Sequence, residues 1–347
     1  MKAGPRTVTI YDVAEKAGVS ISTVSLVMNA PHRVAAATRE RVVAAAAALG
    51  YRSRSTPSSR ATSTVRVAVA APFASYPSYL RRLAGMMERA RSRAVDLVPY
   101  DLPSAAAAEH PLLDALPTRP GIDALIVMGV PLGGSALRAS RAARLPVVLV
   151  DVRRRRAAAG EPPHVLVDDV LAGRLLGEHL ADLGHRRALF LHDPQRSSDY
   201  VSAGMLRYKG LSEFLTLDRL AAGTSERESR LIDHLRRGAT AVIGSHDGLS
   251  ARAWGILLAA GMRIPDDVSL VGFDDGDVAA ALELTTVHQP FEETGAAALD
   301  IALSLASGRE SAVGHVELKP SLITRRSAHA PRAVSILTDG DTRSTRR

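Results

Sequence analysis

The stretch Thr9–Asn29, TIYDVAEKAGVSISTVSLVMN, predicts two short helices joined by a glycine turn. Thr9 can accept a hydrogen bond from a free amide at the first helix start, and Asp12 stands where it completes a capping box. Gly18 ends this helix, and Ser20 can cap the second. The inward face of the pair consists of Ile10, Val13, Ala14, Ala17, Val24, Val27 and Met28. This pattern predicts a helix-turn-helix, whose second helix can enter a DNA major groove.

The second helix also has an outward face of small, hydrogen-bonding or apolar side chains, which can contact base edges or a thymine methyl group. These are Ile21, Ser22, Ser25, Leu26 and Asn29. An ordinary helical hairpin is the alternative, because most helix corners bind nothing. Charge favours DNA, since residues 1–64 hold nine Lys/Arg against three Asp/Glu, and residues 328–347 hold four Arg against two Asp. These two ends account for the whole net charge of +8, and cationic ends attract phosphates.

Length and composition limit the possible classes of protein. A chain of 347 residues with 46% hydrophobic residues can form two or three domains with real cores. Because the chain has no cysteine, disulfides, thiolate metal sites and cysteine nucleophiles are excluded. We see no secretory signal and no run of the ~18 apolar residues that a membrane span needs. A cytoplasmic protein without a membrane partner is therefore expected.

The segments VTIYDVAEKAGVSISTVSLVMN, TRERV and LGYR resemble the DNA-binding head of the lactose-repressor family of bacterial transcription regulators. Ala36–Leu49, which ends at Gly50, would be the third helix of this head. The resemblance implies DNA contacts by Tyr11, Ser20, Ile21, Ser22, Thr23, Ser25, Leu26, Asn29 and Arg33. Leu26 replaces the basic side chain usual in the family, so base preference should differ. Ala35 replaces a capping Ser, which should cost ~1 kcal/mol.

The segment 53–64, SRSTPSSRATST, has eight Ser or Thr residues and predicts a linker. In the family this segment is a hinge helix that forms on DNA and inserts a Leu into the minor groove. Here Arg60 occupies the Leu position, and Pro57 disfavours a helix. Arg60 could enter a narrow minor groove as a cation, so it joins the candidate DNA contacts. The alternative, a weakened hinge, is the one we favour.

From Val65 onward, short apolar strands alternate with amphipathic helices, which predicts parallel sheets covered on both faces. The pattern is too long for one core and predicts two α/β lobes. The expected fold is thus an all-α helix-turn-helix domain followed by a two-lobed α/β domain, and the family resemblance implies that this second domain is of the periplasmic-binding-protein type. The predicted division is a head over 1–52, a hinge over 53–64, a receptor over 65–327 and a disordered tail over 329–347. Lobe 1 would comprise about 65–163 and 291–321, and lobe 2 about 164–290 and 322–328.

Further segments resemble the same family, including RYKG, RIPDDVSLVGFDD and LTTVHQP. The resemblance implies an effector between the lobes, at the carboxyl ends of the strands. The matching pocket positions are Ser75, Tyr79, Asp168, Arg207, His246, Asp274 and Gln289. Arg207 could instead be an exposed charge, Asp274 a turn cap and Tyr79 a core residue. His246 stands where the family has Asn, so a sugar, a purine, a sugar phosphate and a glycoside all stay open as ligands.

The chain shows no catalytic motif, so no enzyme activity, cofactor or metal site is expected. Ser245, His246 and Asp247 are adjacent, whereas the members of a catalytic triad come from separate elements. Helix-turn-helix proteins usually read paired half-sites as dimers. The family's dimer-face positions match Ala251, Trp254, Val278 and Leu282, although Trp254 could equally be a core residue. No heptads follow residue 328, so no tetramer-forming coiled coil is expected.

We therefore predict a dimeric DNA-binding transcription regulator, most simply a repressor, whose partners are double-stranded operator DNA and a small-molecule effector. Effector binding would change lobe closure and shift the two heads out of half-site register. The alternatives are a small-molecule binding protein without gene regulation and an α/β enzyme.

Overall fold

The computed structural model describes residues 8–51, 64–103, 110–119, 121–154, 160–194, 200–223, 227–309 and 314–331. The predicted hinge residues 53–63, with Pro57 and Arg60, lie outside the described residues, as does 332–347 of the predicted tail. The described part consists of a helical head and two α/β lobes.

The head has three α-helices and a short 3-10 turn at Pro31–Arg33. The helices are α1 (Ile10–Ala17), α2 (Ile21–Asn29) and α3 (Ala36–Leu49). The predicted capping box is present, because the Thr9 N–H donates to Asp12 at 2.7 Å and the Thr9 hydroxyl accepts from the Asp12 N–H. Ser20 accepts from the Thr23 N–H at 3.2 Å. α3 starts at Ala36, and its N-cap residue Ala35 makes no side-chain cap, as the sequence predicted.

Lobe 1 contains a six-stranded, all-parallel sheet in the order β13-β6-β4-β3-β1-β2. Its strands are β1 (Val65–Ala71), β2 (Val95–Asp101), β3 (Ala124–Met128), β4 (Val147–Val150), β6 (His164–Val167) and β13 (His315–Leu318). One face is covered by α4 (Pro77–Ala90) and α12 (Phe291–Ala306), and the other by α5 (Pro111–Ala115) and α6 (Gly134–Ala142). Two apolar layers, one on each face, form the core of this lobe.

Lobe 2 contains a second sheet in the order β14-β12-β11-β10-β7-β9, in which only β14 is antiparallel. Its strands are β7 (Arg187–His192), β9 (Thr216–Ala221), β10 (Ala241–Gly244), β11 (Ser269–Asp274), β12 (Thr285–His288) and β14 (Ser321–Ile323). Its helices are α7 (Asp169–Asp182), α8 (Ala203–Leu211), α9 (Arg227–Arg236), α10 (Asp247–Ala259) and α11 (Asp277–Ala281). A small antiparallel pair, β5 (Arg153–Arg154) with β8 (Tyr200–Val201), joins segments that follow β4 and β7.

The chain passes between the two sheets three times, which changes two predicted lobe limits. β6 lies between β4 and β13 in lobe 1, so 164–167 does not belong to lobe 2 as predicted. Ser321, predicted in lobe 1, begins β14 of lobe 2. The chain therefore crosses after β6, after β12 and between β13 and β14. Hydropathy could not assign β6, because a central apolar strand looks the same in either sheet.

One further prediction needs correction, and one strand was not predicted. The predicted disordered tail from 329 starts too early, because the His329 N–H donates to Ser269 Oγ at 3.2 Å and the His329 carbonyl accepts from the same hydroxyl. The edge strand β9 was not predicted, since its sequence TLDRLA mixes polar and apolar residues and lacks the continuous apolar run of the central strands.

Candidate functional site

The outward face of α2 is open to solvent in the folded head. Val24, Val27 and Met28 point into the head core, and Leu26 on the opposite side is 36% exposed. The exposed members of the predicted set are Tyr11, Ser20, Ile21, Ser22, Leu26, Asn29 and Arg33, while Thr23 and Ser25 are half-buried. The Asn29 amide donates to the Ser25 hydroxyl at 3.3 Å, which fixes the direction of both side chains. α2 thus presents a short, mostly uncharged reading face.

The candidate pocket lies at the carboxyl ends of the lobe 1 strands, and it includes an arginine that the sequence did not predict. Arg82 of α4 is buried and forms an ion pair with Asp151, the residue after β4. Its guanidinium also lies 4.0 Å from the centre of the Phe291 ring and 5.3 Å from that of Tyr79. The Tyr79 hydroxyl occupies the space where a side chain at Gly129 would be, at the end of β3. These contacts place charge and aromatic rings at the carboxyl ends of the lobe 1 strands.

Arg207 of α8 holds the matching position in lobe 2. Its Nε donates to Asp169 at 2.8 Å, its Nη1 donates to the Ser245 carbonyl at 2.6 Å, and it lies 3.5 Å from an oxygen of Asp274. Arg207 is buried, so the alternative of an exposed helix charge is excluded. Asp274 ends β11 and its partner is this arginine, which argues against a simple turn cap.

Polar side chains of lobe 1 contact lobe 2 beside these arginines. His246 Nε2 lies 3.1 Å from Asp193, and the Tyr76 hydroxyl of lobe 1 donates to the same carboxylate. Arg81 of α4 donates to the Asp274 carbonyl at 3.0 Å, and bonds Glu292 of its own lobe as well. The lobes are therefore held together by contacts that a bound molecule could strengthen or replace.

Three buried or half-buried aspartates and two buried arginines form one charge cluster in the candidate pocket. Asp151, Asp169 and Asp274 share Arg82 and Arg207. Burial raises the pKa of Asp151 and of Asp274, and the neighbouring arginines offset only part of this effect. The two buried arginines of the candidate pocket therefore already have carboxylate partners.

Backbone strain concentrates at the same edge. Asp151 has a φ of 55° and Asp274 a φ of 117°, values that a non-glycine residue rarely adopts. Such conformations cost ~1–3 kcal/mol each and persist where the surrounding structure fixes them, often at binding sites. Here the strain aims two carboxylates into one cleft.

Gln289 is the clearest buried group without a partner. It follows β12, is 0% exposed, and neither its amide nitrogen nor its amide oxygen has a hydrogen-bond partner among the described residues. A buried amide without partners costs ~1–3 kcal/mol, so a ligand or water would be expected to satisfy it.

Two of the predicted pocket residues have other positions. Asp168 caps α7, because its carboxylate accepts from the Leu171 N–H at 2.9 Å, and its neighbour Asp169 supplies the pocket carboxylate instead. Ser75 is exposed in the loop after β1. The sequence did not predict Arg82, Asp151, Asp169 or Asp193 as pocket residues. Asp151 and Asp193 each directly follow an apolar strand, and this position could have identified them.

The predicted dimer-face residues lie on the outer side of lobe 2. Val278 is exposed, and Ala251 is half-buried. Trp254 and Leu282 are half-buried and pack against the lobe 2 core. Exposed Leu258 on α10 extends this surface, and Leu80 and Met87 form an exposed apolar stripe on α4 of lobe 1.

The fold and these sites together define a two-lobed small-molecule receptor with a helix-turn-helix head. Residues 9–53 match the profile described as "Bacterial regulatory proteins, lacI family", and residues 178–328 match "Periplasmic binding protein-like domain". The lactose operon repressor of Escherichia coli K12 is 31% identical over 94% of this chain and 92% of its own length. The regulator MalR of Streptomyces coelicolor is 29% identical over 94% of this chain and 98% of its own length. The chain therefore belongs to the lacI family of bacterial regulatory proteins.

Solved structures agree with this assignment. The lac repressor bound to ONPG in the repressed state has a TM-score of 0.62 and 27% identity, covering 93% of this chain and all of that one. The chain is a DNA-binding transcriptional regulator and not an enzyme. Among the described residues, no helix has the length and apolar character needed to span a bilayer.

Proposed function

We propose that α2 reads operator DNA in the major groove, and that an effector in the pocket between the lobes controls this reading in a dimeric, cytoplasmic repressor. The observation that carries the proposal is the combination, in one chain, of an open, uncharged reading face with a strained cluster of buried charges beside the Gln289 amide, which lacks a partner within the described part of the chain. A related structure supports it, since the lac repressor dimer has been solved bound to operator and the anti-inducer ONPF. The reading set is Tyr11, Ser20, Ile21, Ser22, Thr23, Ser25, Leu26, Asn29, Arg33 and, from the hinge, Arg60.

We propose an uncharged, hydroxyl-rich effector such as a sugar or glycoside, rather than a sugar phosphate. Arg82 and Arg207 already have Asp151, Asp169 and Asp274 as partners, and Arg81 donates to the Asp274 carbonyl, so an anionic ligand would have to displace these carboxylates from their cations. Hydroxyl groups can donate to Asp274. They can also donate to the Gln289 amide oxygen and accept from the Gln289 amide nitrogen. Tyr79, which is half-buried, offers apolar ring surface, although the Arg82 guanidinium already lies 5.3 Å from the ring centre.

We propose that the dimer forms through the outer faces of both lobes. In lobe 2 the contact would use Ala251, Val278 and Leu258, with Trp254 and Leu282 supporting this surface from behind. In lobe 1 the exposed stripe of Leu80 and Met87 would extend it, because exposed apolar side chains at i and i+7 fall on one helix face. Leu258→Glu should therefore shift the protein towards monomer in analytical ultracentrifugation.

The reading face is tested by selecting DNA fragments that bind the full chain and repeating the binding with Asn29→Ala. We expect a specific fragment set and a loss of about tenfold or more in affinity for Asn29→Ala, since a base contact is worth ~1–3 kcal/mol. Ala44→Ser, an exposed substitution on α3 away from α2, serves as the control. Equal binding by both variants, or no DNA binding at low salt, would refute the proposal.

The pocket is tested by calorimetry with neutral sugars and glycosides, matched sugar phosphates and nucleosides. We expect binding by a neutral sugar or glycoside and a loss of that binding in Asp274→Asn. Tighter binding of the phosphorylated member of a pair would contradict the assigned effector class while leaving the DNA-binding assignment intact.

A further inference from the structure

The head packs on lobe 1 of its own chain. Helix α3 lies against α6, and Ala139 of α6 is buried in the same apolar cluster as the head residues Val42, Val43 and Tyr51. At the end of α3, Gly50 faces the Ala142 carbonyl. The apolar core of the head thus continues into lobe 1.

Two arginines add polar contacts to this surface. Arg119 of lobe 1 donates from Nε to the Met28 carbonyl at 2.9 Å and from Nη2 to the Asn29 carbonyl at 3.3 Å. These carbonyls end α2, where helix carbonyls lack partners and where a cation is favoured by the helix dipole. Arg39 of α3 lies 3.7 Å from the carboxylate of Asp114 on α5.

These contacts leave the reading face open. They use α3, the turn after α2 and the last carbonyls of α2, whereas Ser22 and Leu26 on α2 stay exposed. The packing therefore orients the reading helix and does not cover it.

The docking surface is also connected to the pocket. Helix α6 follows the loop after β3, and this loop begins at Gly129, against which the Tyr79 hydroxyl packs. A change at the pocket end of α6 would reach the head through Ala139 and Ala142 at its other end.

We propose that the surface of lobe 1 formed by α5, α6 and Arg119 is a docking site for the head of the same chain. It holds α2 in the orientation that reads DNA, and it gives the pocket a route to the head that does not depend on a hinge helix. The part concerning the pocket rests on the proposed function, whereas the docking itself does not. Pro57 in the predicted hinge makes such a route useful, because proline disfavours the helix that would otherwise couple the two parts.

The first test compares Arg119→Ala with Arg138→Ala in the full chain. Both remove one positive charge from lobe 1, but Arg138 is exposed on α6 and serves as the control. We expect Arg119→Ala to accelerate hydrogen exchange in α2, α3 and α6 without DNA, and to weaken operator binding about threefold to thirtyfold, as the loss of two hydrogen bonds allows. Arg138→Ala should leave the exchange unchanged.

The second test uses charge reversal with rescue. Asp114→Arg should accelerate exchange in α3, and Asp114→Arg combined with Arg39→Asp should slow it again, which simple misfolding would not do. Exchange in Arg119→Ala equal to that in Arg138→Ala would overturn the docking, and tighter operator binding by Arg119→Ala would overturn its orienting role. Because exchange is measured without DNA, it distinguishes failure of the docking from failure of the proposed regulator function.

Discussion

Whereas α2 carries most of the candidate DNA contacts within nine consecutive residues, the pocket collects its charged groups from α4, α7, α8 and the ends of β4 and β11. The reading face needs only the right helical spacing, so exchange of one exposed side chain changes what it reads. The pocket needs several elements in place at once, so exchange of one buried charge disturbs the lobe itself. We therefore expect that substitutions in the pocket mainly lower the stability of the protein, and that substitutions on the reading face mainly change its DNA specificity.

The largest expected effect is in the pocket. Arg207→Ala leaves Asp169 and Asp274 buried without their cation and should lower the free energy of unfolding by about 3–5 kcal/mol. Denaturant unfolding measures this effect. Arg174→Ala is the matched control, because Arg174 joins the same two-helix pair through exposed Glu213 and should leave the unfolding midpoint unchanged. Equal losses of unfolding free energy in the two variants would contradict the prediction that the pocket is the region where one substitution lowers stability most.

The counterpart in the head is Leu26→Arg, which should change specificity and leave stability almost unchanged. An arginine at this exposed site can bond a guanine edge, worth ~1–3 kcal/mol of discrimination at one base pair. Fragment selection with both proteins measures the shift. Leu26→Ala, which adds no donor, is the control, and the same preferred sequence for Leu26→Arg and wild type would show that Leu26 faces no base.

A third prediction concerns pH. Burial, together with the charge of Asp274, raises the pKa of Asp247 to about 7. Because the folded protein then binds a proton more tightly than the unfolded chain, the contribution of Asp247 to stability falls as pH rises from about 4 to about 7. Asp247→Asn should flatten this part of the profile relative to exposed Asp233→Asn. A profile of the same shape in both variants would refute the assignment.

The smallest effect is expected at the start of α3. Ala35→Ser supplies the missing side-chain cap and should stabilise the head by ~1 kcal/mol. Hydrogen exchange of α3 amides in the full chain measures it. Ala48→Ser, late in the same helix, cannot cap and should not slow the exchange. Faster exchange in Ala35→Ser would show that the head does not depend on local capping.

The same contrast explains how far the sequence could predict the structure. Capping by Thr9 and Ser20 depends on neighbours three residues away, so the head could be predicted residue by residue. The alternation of apolar strands and helices was also readable from Val65 onward. The partners of the pocket charges are 38 to 193 residues apart, as in Arg207 with Asp169 and Arg81 with Asp274. No local pattern distinguishes Asp168, which caps a helix, from Asp169, which enters the pocket.

The three passages of the chain between the sheets have a consequence for building hybrid regulators. Each lobe is assembled from separate stretches of the chain, with β6, α12 and β13 on one side and α7 to β12 and β14 on the other. A graft of the second lobe from a relative therefore needs joins near residues 168, 290 and 320. A single fusion point near residue 168 would take the whole lobe 2 sheet from one parent, but it would divide lobe 1, because α12 and β13 follow that point.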